Sequence, residues 1–122
     1  MLLSQDSNQA NFLVTAYEPG RIEVNKKPYS QPLILNSNSL ISEGLPAHVG
    51  ELTESHVAQW AQMDAEIILL GMGATFGTPP IHLLQAAMKA GKMLEAMDTR
   101  AASYTYMVLT SENRKVMAVL YP

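Results

Sequence analysis

The chain has 122 residues, of which 8 are basic and 11 acidic, and it contains no cysteine. This length is typical of one domain and is sufficient to bury a core without disulfides or a structural metal. The lack of cysteine excludes thiol catalysis, disulfides and cysteine-ligated zinc or iron–sulfur sites. The net charge of −3 argues against nucleic-acid binding, which needs basic side chains concentrated on one face. We expect a single domain over residues 1–122, with residues 1–11 frayed.

The N-terminal segment predicts a β-hairpin. Residues 12–17 form one predicted strand, and residues 21–25, which alternate charged and apolar side chains, form the other. A loop bracketed by Pro28 and Pro32 follows. Residues 33–35 are wholly apolar and predict a short strand.

The middle of the chain predicts an irregular connection, a helix and a buried strand. Residues 36–50 are rich in Ser, Asn, Gly and Pro, which favours an irregular connection. Thr53 is a predicted cap for a helix whose buried stripe includes Val57 and Trp60. Residues 66–70 are apolar on both faces, which is typical of a central strand covered by helices.

A second helix is predicted after a glycine-rich loop. The loop covers residues 71–77, and Thr78 and Pro79 read as the cap and first position of a helix. That helix is predicted to run to Ala90 and to end at Gly91 in a left-handed conformation.

The C-terminal part predicts strand, helix and strand. Residues 92–97 form a predicted strand, residues 100–112 a third helix that ends at Asn113, and residues 116–121 a final strand that is apolar on both faces. Alternation of strands and helices predicts a parallel sheet with right-handed crossovers. The N-terminal hairpin is expected to add antiparallel strands.

Several segments of the C-terminal half share a recognisable pattern. They are Leu69–Gly73, Glu95–Thr99, Ala101–Ala102, Thr105–Leu109 and Ser111–Val116. In these segments the chain resembles a family of small, mostly uncharacterised bacterial and archaeal proteins. The family's eukaryotic relatives include a mitochondrial assembly factor for respiratory complex I and an adipogenesis-associated vertebrate protein. Met72 and Met107 stand where the family pattern has Thr and Asn.

The resemblance implies an α/β fold of three layers. Its central sheet is mixed and largely parallel, with helices on both faces and an appended N-terminal β-hairpin. It implies no established enzymatic activity.

The glycine-rich loop follows a strand and precedes a helix, as a dinucleotide-binding fingerprint does. The third glycine falls one residue late for that fingerprint. Pro79 and Pro80 also lack the N–H groups that bind phosphate at a helix start. A tight strand-to-helix turn is therefore favoured over nucleotide binding, and an unidentified small ligand remains an alternative.

A second group of residues is predicted to meet at the carboxyl ends of the parallel strands. Such ends form the usual ligand crevice of α/β sheets. The candidate ligand-binding residues there are Gly71, Gly73, Asp98, Thr99 and Arg100. The competing interpretation is that Asp98 or Thr99 caps the third helix and that Arg100 is a surface residue or pairs with an acid.

Glu95 lies within an otherwise apolar predicted strand, where a carboxylate is costly unless it is paired. We expect it to be buried and paired with Arg114 or Lys92, which makes it a candidate for a perturbed pKa. Structural pairing is favoured over catalysis. The three histidines are not at metal-binding spacings, so neither a metal site nor a cofactor is expected.

No complete catalytic motif is present, which favours a non-enzymatic interaction or assembly-type factor with a protein partner. The alternative is a small-molecule binder or enzyme that uses the predicted crevice, and a third possibility is a scaffold that self-associates. The apolar runs are much shorter than the ~20 residues that span a bilayer, so no membrane insertion is expected. No signal peptide is recognised, and we expect a cytoplasmic protein.

Overall fold

A computed structural model describes residues 8–78 and 80–122. Its strands are β1 Val14–Glu18, β2 Arg21–Val24, β3 Lys27–Tyr29, β4 Leu33–Asn36, β5 Ser39–Ile41, β6 Ile67–Met72, β7 Met93–Met97 and β8 Val116–Tyr121. Its helices are α1 Glu54–Trp60, α2 Ile81–Lys89 and α3 Thr99–Ser111. The predicted strand, helix, strand, helix, strand order of the C-terminal half is confirmed.

The larger sheet is mixed and has the strand order β5-β4-β8-β6-β7. Strand β6 pairs in parallel with both β7 and β8, whereas β4 pairs antiparallel with β8 and β5. The carboxyl ends of β6, β7 and β8 therefore lie at one edge of this sheet. The mixed α/β fold is confirmed, with three strands of the sheet parallel and two antiparallel to their neighbours.

Both faces of the larger sheet are covered. Side chains of a strand alternate between the two faces, and Leu69 and Ile68 on β6 accordingly belong to two different apolar cores. The first core includes Tyr106 of α3, and the second includes Trp60 of α1 and Leu83 of α2. Burial on both faces explains why β6 and β8 read as continuous apolar runs.

The N-terminal strands form a separate antiparallel sheet in the order β1-β2-β3. The predicted hairpin is present, and Val14 and Ile22 of its inner face join the core beside α3. The loop predicted between Pro28 and Pro32 begins later than expected, because Lys27–Tyr29 form strand β3. Strand β3 is the edge strand, with Pro28 opposite Glu23, and an edge strand tolerates a residue without an N–H.

The region predicted to be irregular, residues 36–50, contains strand β5 and a short 3-10 turn at Val49–Glu51. Strand β5 forms because the Asn36 side-chain oxygen accepts hydrogen bonds from the backbone N–H groups of Asn38 and Ser39, both at 2.8 Å. This turn reverses the chain so that β5 pairs with β4. The Asn and Ser residues that predicted an irregular connection therefore form the tight turn of a hairpin.

Helix ends follow the predicted capping residues in three of the four cases compared. Thr53 is the N-cap of α1, Gly91 has φ of +75° after α2, and Asn113 has φ of +60° after α3. Helix α2 differs, because it begins at Ile81 and its N-cap is Pro80, not Thr78. Pro79 lies outside the described residues.

Residues 8–11 are attached to the body of the protein, where we expected fraying. The Asn8 side-chain amide donates to the Met107 carbonyl at 3.0 Å and to the Thr110 hydroxyl at 2.7 Å. The Asn11 backbone N–H donates to the Ser37 carbonyl at 2.8 Å. The Asn8 side chain therefore holds this segment against α3, and the Asn11 backbone holds it against the β4–β5 turn. Residues 1–7 lie outside the described part of the chain.

Buried tyrosines make stability sensitive to alkaline pH. Burial, with a smaller contribution from Glu51, raises the pKa of Tyr121 to about 12, and burial also raises the pKa of Tyr106. The unfolded chain releases these protons near pH 10, before the folded chain does. We expect stability to be independent of these groups below pH 10 and to fall as the pH rises from there toward 12. Urea unfolding from about pH 9 to about pH 11 measures the decline. Tyr121→Phe should make the decline of the unfolding free energy with pH less steep. Tyr104→Phe, which changes an exposed tyrosine, should leave the decline unchanged. An equally steep decline in both variants would contradict the assignment to Tyr121.

Candidate functional site

The carboxyl edge of the parallel strands is closed by Thr99, the first residue of α3. Its side chain is fully buried. The hydroxyl donates to the Tyr121 carbonyl and accepts from the Gly73 backbone N–H at 2.8 Å. The Thr99 backbone N–H donates to the Gly73 carbonyl at 2.8 Å. One residue thereby joins the ends of β6 and β8 to the start of α3.

Gly71 is required by the closeness of Thr99. A Cβ atom at position 71 would lie 2.9 Å from the Thr99 hydroxyl oxygen and 3.1 Å from the Thr99 Cα. Such distances leave no room for a side chain, so this glycine serves close backbone approach. The tight-turn interpretation of the loop agrees with this contact.

Asp98 is the N-cap of α3. Its carboxylate accepts a hydrogen bond from the Ala101 backbone N–H at 2.8 Å. This is one of the two caps left open by the sequence, and it satisfies a donor that the first helical turn cannot pair internally.

Arg100 lies on the surface over an aromatic ring of the N-terminal sheet. Its guanidinium carbon is 5.2 Å from the centre of the Tyr17 ring, which is within range of a cation–π interaction. The five predicted ligand-binding residues therefore share one edge of the fold. Thr99 and Asp98 use their polar atoms within the protein, and a ligand-binding role for the group stays a prediction.

Tyr17 is a member of this region that the sequence did not identify. It is 3 % exposed, and its hydroxyl has no hydrogen-bond partner among the described residues. Burial raises the pKa of Tyr17, while nearby Arg100 lowers it and Asp98 raises it. Val14 and Tyr17 both join the core although they are three residues apart, because β1 has a register shift between Val14 and Ala16. Strict alternation along a strand does not predict this.

The expectation that Glu95 is buried and paired is wrong. Its side chain is exposed because β7 is the last strand of the sheet. Within residues 8–78 and 80–122 it makes no ion pair. Lys92 instead donates to the Ala65 carbonyl at 2.6 Å. The burial and pairing on which the pKa-perturbed assignment depended are thus absent.

The comparisons with known proteins agree on the family. The model of a protein family of unknown function, DUF498/DUF598, matches residues 14–121. The chain belongs to this family. A Francisella tularensis protein called "13 kDa major membrane protein" is 30 % identical over 121 residues, which are 98 % of each chain. The predicted relationship to small uncharacterised bacterial proteins is confirmed.

Solved structures of relatives share the fold. A Bordetella parapertussis protein has a TM-score of 0.81 at 31 % identity, covering 91 % of this chain and 95 % of that one. A Bordetella pertussis protein described as a Mth938-like domain has a TM-score of 0.76 at 27 % identity, covering 100 % and 92 %. These matches show the Mth938-like domain and do not assign it an activity.

The two departures from the recognised family pattern lie in apolar surroundings. Met107 of α3 is buried in the core beside the N-terminal sheet, and Met72 packs against the core on the other face. Both side chains act as filling in this protein, as methionine often does.

Helix α2 exposes an apolar stripe, which we call the α2 stripe and define as Ile81, Leu84 and Met88. The spacing of these residues places them on one side of the helix. Ile81 is 55 % exposed and Met88 is 74 % exposed, while Leu84 is partly buried against the core. The residues of α2 that are fully packed, Leu83 and Ala87, lie on a different side.

No helix in residues 8–78 and 80–122 is long and apolar enough to cross a bilayer. In the same ranges, no three His, Asp or Glu side chains are grouped so that they could hold a metal ion.

Removing the Thr99 hydroxyl should destabilise the fold. Thr99→Val keeps the shape but leaves the Gly73 N–H and the Tyr121 carbonyl without their partner. We expect the free energy of unfolding to fall by about 2 to 4 kcal/mol. Thr99→Ser keeps the hydroxyl and should lose only about 1 kcal/mol for the missing methyl. Urea unfolding compares the two variants, and a loss for Thr99→Val no larger than that for Thr99→Ser would contradict the dominant role assigned to the hydrogen bonds.

Removing the Tyr17 hydroxyl should not lower the free energy of unfolding, in contrast to removal of the Thr99 hydroxyl. Tyr17→Phe deletes a buried group that has no partner in the described structure, so stability should stay unchanged or rise by about 1 kcal/mol. The matched control is Tyr106→Phe, which loses a hydroxyl that donates to the Phe12 carbonyl at 2.6 Å. Thermal unfolding of both variants checks the contrast. A larger loss for Tyr17→Phe than for the control would mean that the Tyr17 hydroxyl has a partner in solution.

Proposed function

We propose that this protein is a non-enzymatic interaction factor that binds a protein partner through the α2 stripe. The observation that carries the proposal is the exposure of Ile81 and Met88 on a helix whose other side is packed into the core. Large apolar side chains aligned on an exposed helix are a recurrent basis for helix-to-helix recognition.

The charges around α2 indicate the chemistry of the partner. Residues 67–94 contain no Asp or Glu, although the whole chain has a net charge of −3. Lys89 and Lys92 are the basic residues of this segment, and Lys89 lies in the last turn of α2. We therefore propose an amphipathic partner helix that places apolar residues on the stripe and an acidic residue near Lys89.

The resemblance to the complex I assembly factor supports assembly of a respiratory complex as the process in which this contact is used. A cytoplasmic location is part of the proposal.

The alternative, a small-molecule binder or enzyme at the carboxyl edge, has weaker support. Thr99 and Asp98 already use their polar atoms to hold the strand ends and the start of α3.

Substitutions on the α2 stripe should remove the partner without unfolding the protein. Burying a large apolar side chain contributes about 1.5 to 3 kcal/mol, so Met88→Gln and Ile81→Gln should each weaken binding about tenfold or more. The matched control is Tyr104→Gln, because Tyr104 is also a large exposed side chain, at 58 %, but lies on α3. Quantitative capture by the tagged variants from lysate, with thermal unfolding to verify folding, provides the comparison.

The chemistry of the partner is tested separately. Cross-linking mass spectrometry should place an acidic amphipathic helix against α2, and Lys89→Glu should weaken capture further. If Tyr104→Gln lost the partner while Ile81→Gln and Met88→Gln kept it, the α2 stripe would not be the binding site. Stripe-dependent dimers seen in light scattering, or stripe-dependent binding to anionic vesicles, would replace the partner helix by a second copy or a bilayer and overturn the proposal.

A further inference from the structure

A concave region, which we call the polar groove, lies at the edge of the sheet where β6 and β8 begin. Its walls are the β4–β5 turn, the end of α3 with the loop that follows, and the residues before β6. The cavity has a volume of about 500 Å³, within the range of sites for small molecules. It is separate from the Thr99 edge, because parallel strands begin and end at opposite edges of a sheet.

The β4–β5 turn contributes hydrogen-bond donors to the groove. The Asn36 side-chain oxygen accepts two backbone N–H groups at 2.8 Å, which fixes which end of that amide is oxygen. The Asn38 side-chain oxygen accepts from the Asn11 side-chain amide at 3.3 Å. Neither NH₂ group of Asn36 or Asn38 has a partner in the described part of the chain. With both oxygens engaged, these asparagines present donors.

The opposite wall adds positive charge. Arg114 makes no ion pair with any acid in residues 8–78 and 80–122. Lys115 pairs with Asp64 at 3.3 Å, and both side chains are largely exposed, so this pair is weak and open to exchange. Asp64 is the single acid that lines the groove, against the two cations Arg114 and Lys115. The groove is therefore locally positive in a chain whose net charge is −3.

The negative end of α3 points toward this region and has to be offset. Its last carbonyls are occupied by the chain that follows. The Leu109 carbonyl accepts from the Arg114 N–H at 3.0 Å, and the Thr110 carbonyl accepts from the Asn113 N–H at 3.0 Å. The acceptors of the helix end are thus largely satisfied, and the donors of the groove are not.

We propose that the polar groove binds a small organic anion through its carboxylate or phosphate group. A guanidinium fits either group with two parallel hydrogen bonds, and the NH₂ groups of Asn36 and Asn38 add neutral donors for the remaining oxygens. Carboxylate and phosphate oxygens accept hydrogen bonds, which matches a set of side chains that offers mainly donors. This site is independent of the α2 stripe and goes beyond the proposed function.

The test uses citrate and inorganic phosphate as probes for the full-length protein. Wild-type protein should show a melting temperature that rises with probe concentration, as expected for a ligand of the folded state. Calorimetric titration then gives the dissociation constant. Citrate binding without phosphate binding would assign the carboxylate class, and the reverse would assign the phosphate class.

The decisive variant is Asn38→Asp, because it keeps the size and the oxygen that accepts from Asn11 but replaces the donor by a negative charge. Asp is also well tolerated in turns. Asn38→Asp and Arg114→Gln should each weaken binding about tenfold or more. Arg21→Gln removes a cation of the N-terminal hairpin, where Arg21 pairs with Glu18, and should leave the affinity unchanged.

Two results would overturn the proposal. One is the absence of any probe-dependent shift in the wild-type protein. The other is equal affinity in Asn38→Asp, Arg114→Gln and wild type, which would mean that the anion binds elsewhere. Chemical-shift changes in the Asn36 and Asn38 side-chain amides during a titration would support the groove directly, and changes confined to other residues would count against it.

Discussion

The Thr99 hydroxyl determines how the carboxyl edge of the sheet is built. It links a backbone N–H of the β6 end, a backbone carbonyl of the β8 end and the first turn of α3. Since a buried backbone group without a partner costs free energy comparable to a lost hydrogen bond, this one side chain satisfies two otherwise costly groups. Gly71 is a consequence of the same contact, because only a residue without Cβ leaves Thr99 its place.

This arrangement changes the meaning of residues that resemble a binding motif. Glycines after a strand, followed by Asp, Thr and Arg at the neighbouring strand end, are typical of a ligand crevice in α/β proteins. In this protein Thr99 fills the space beside Gly71, Asp98 caps α3, and Arg100 lies over Tyr17. These residues connect the strand ends to α3 and to the N-terminal sheet. The role of such a motif is therefore known only when the partners of its polar atoms are known.

The sequence predicted most of the fold because the C-terminal half follows strong local signals. β6 and β8 are apolar on both faces, and Gly91 and Asn113 mark helix ends by their left-handed conformations. Departures occurred where tertiary context decides. Pro28 fits in β3 because β3 is an edge strand of the N-terminal sheet. Glu95 is exposed because β7 is an edge strand of the larger sheet. The contact between Arg100 and Tyr17 and the donors of the polar groove join segments distant in sequence, and no local pattern contains them.

The described surface has three regions of different chemistry, and none of them is marked in the sequence by a catalytic motif. The carboxyl edge uses its polar atoms internally, the α2 stripe offers apolar side chains with lysine nearby, and the polar groove offers donors with a positive charge. An interaction factor needs a surface that stays exposed until the partner arrives, and an exposed stripe on a helix is stable only if the helix is anchored elsewhere. Leu83 and Ala87 provide that anchor. The packing of α2 into the core therefore lets Ile81 and Met88 remain in water, and the cost of that exposure is what a matching partner would recover.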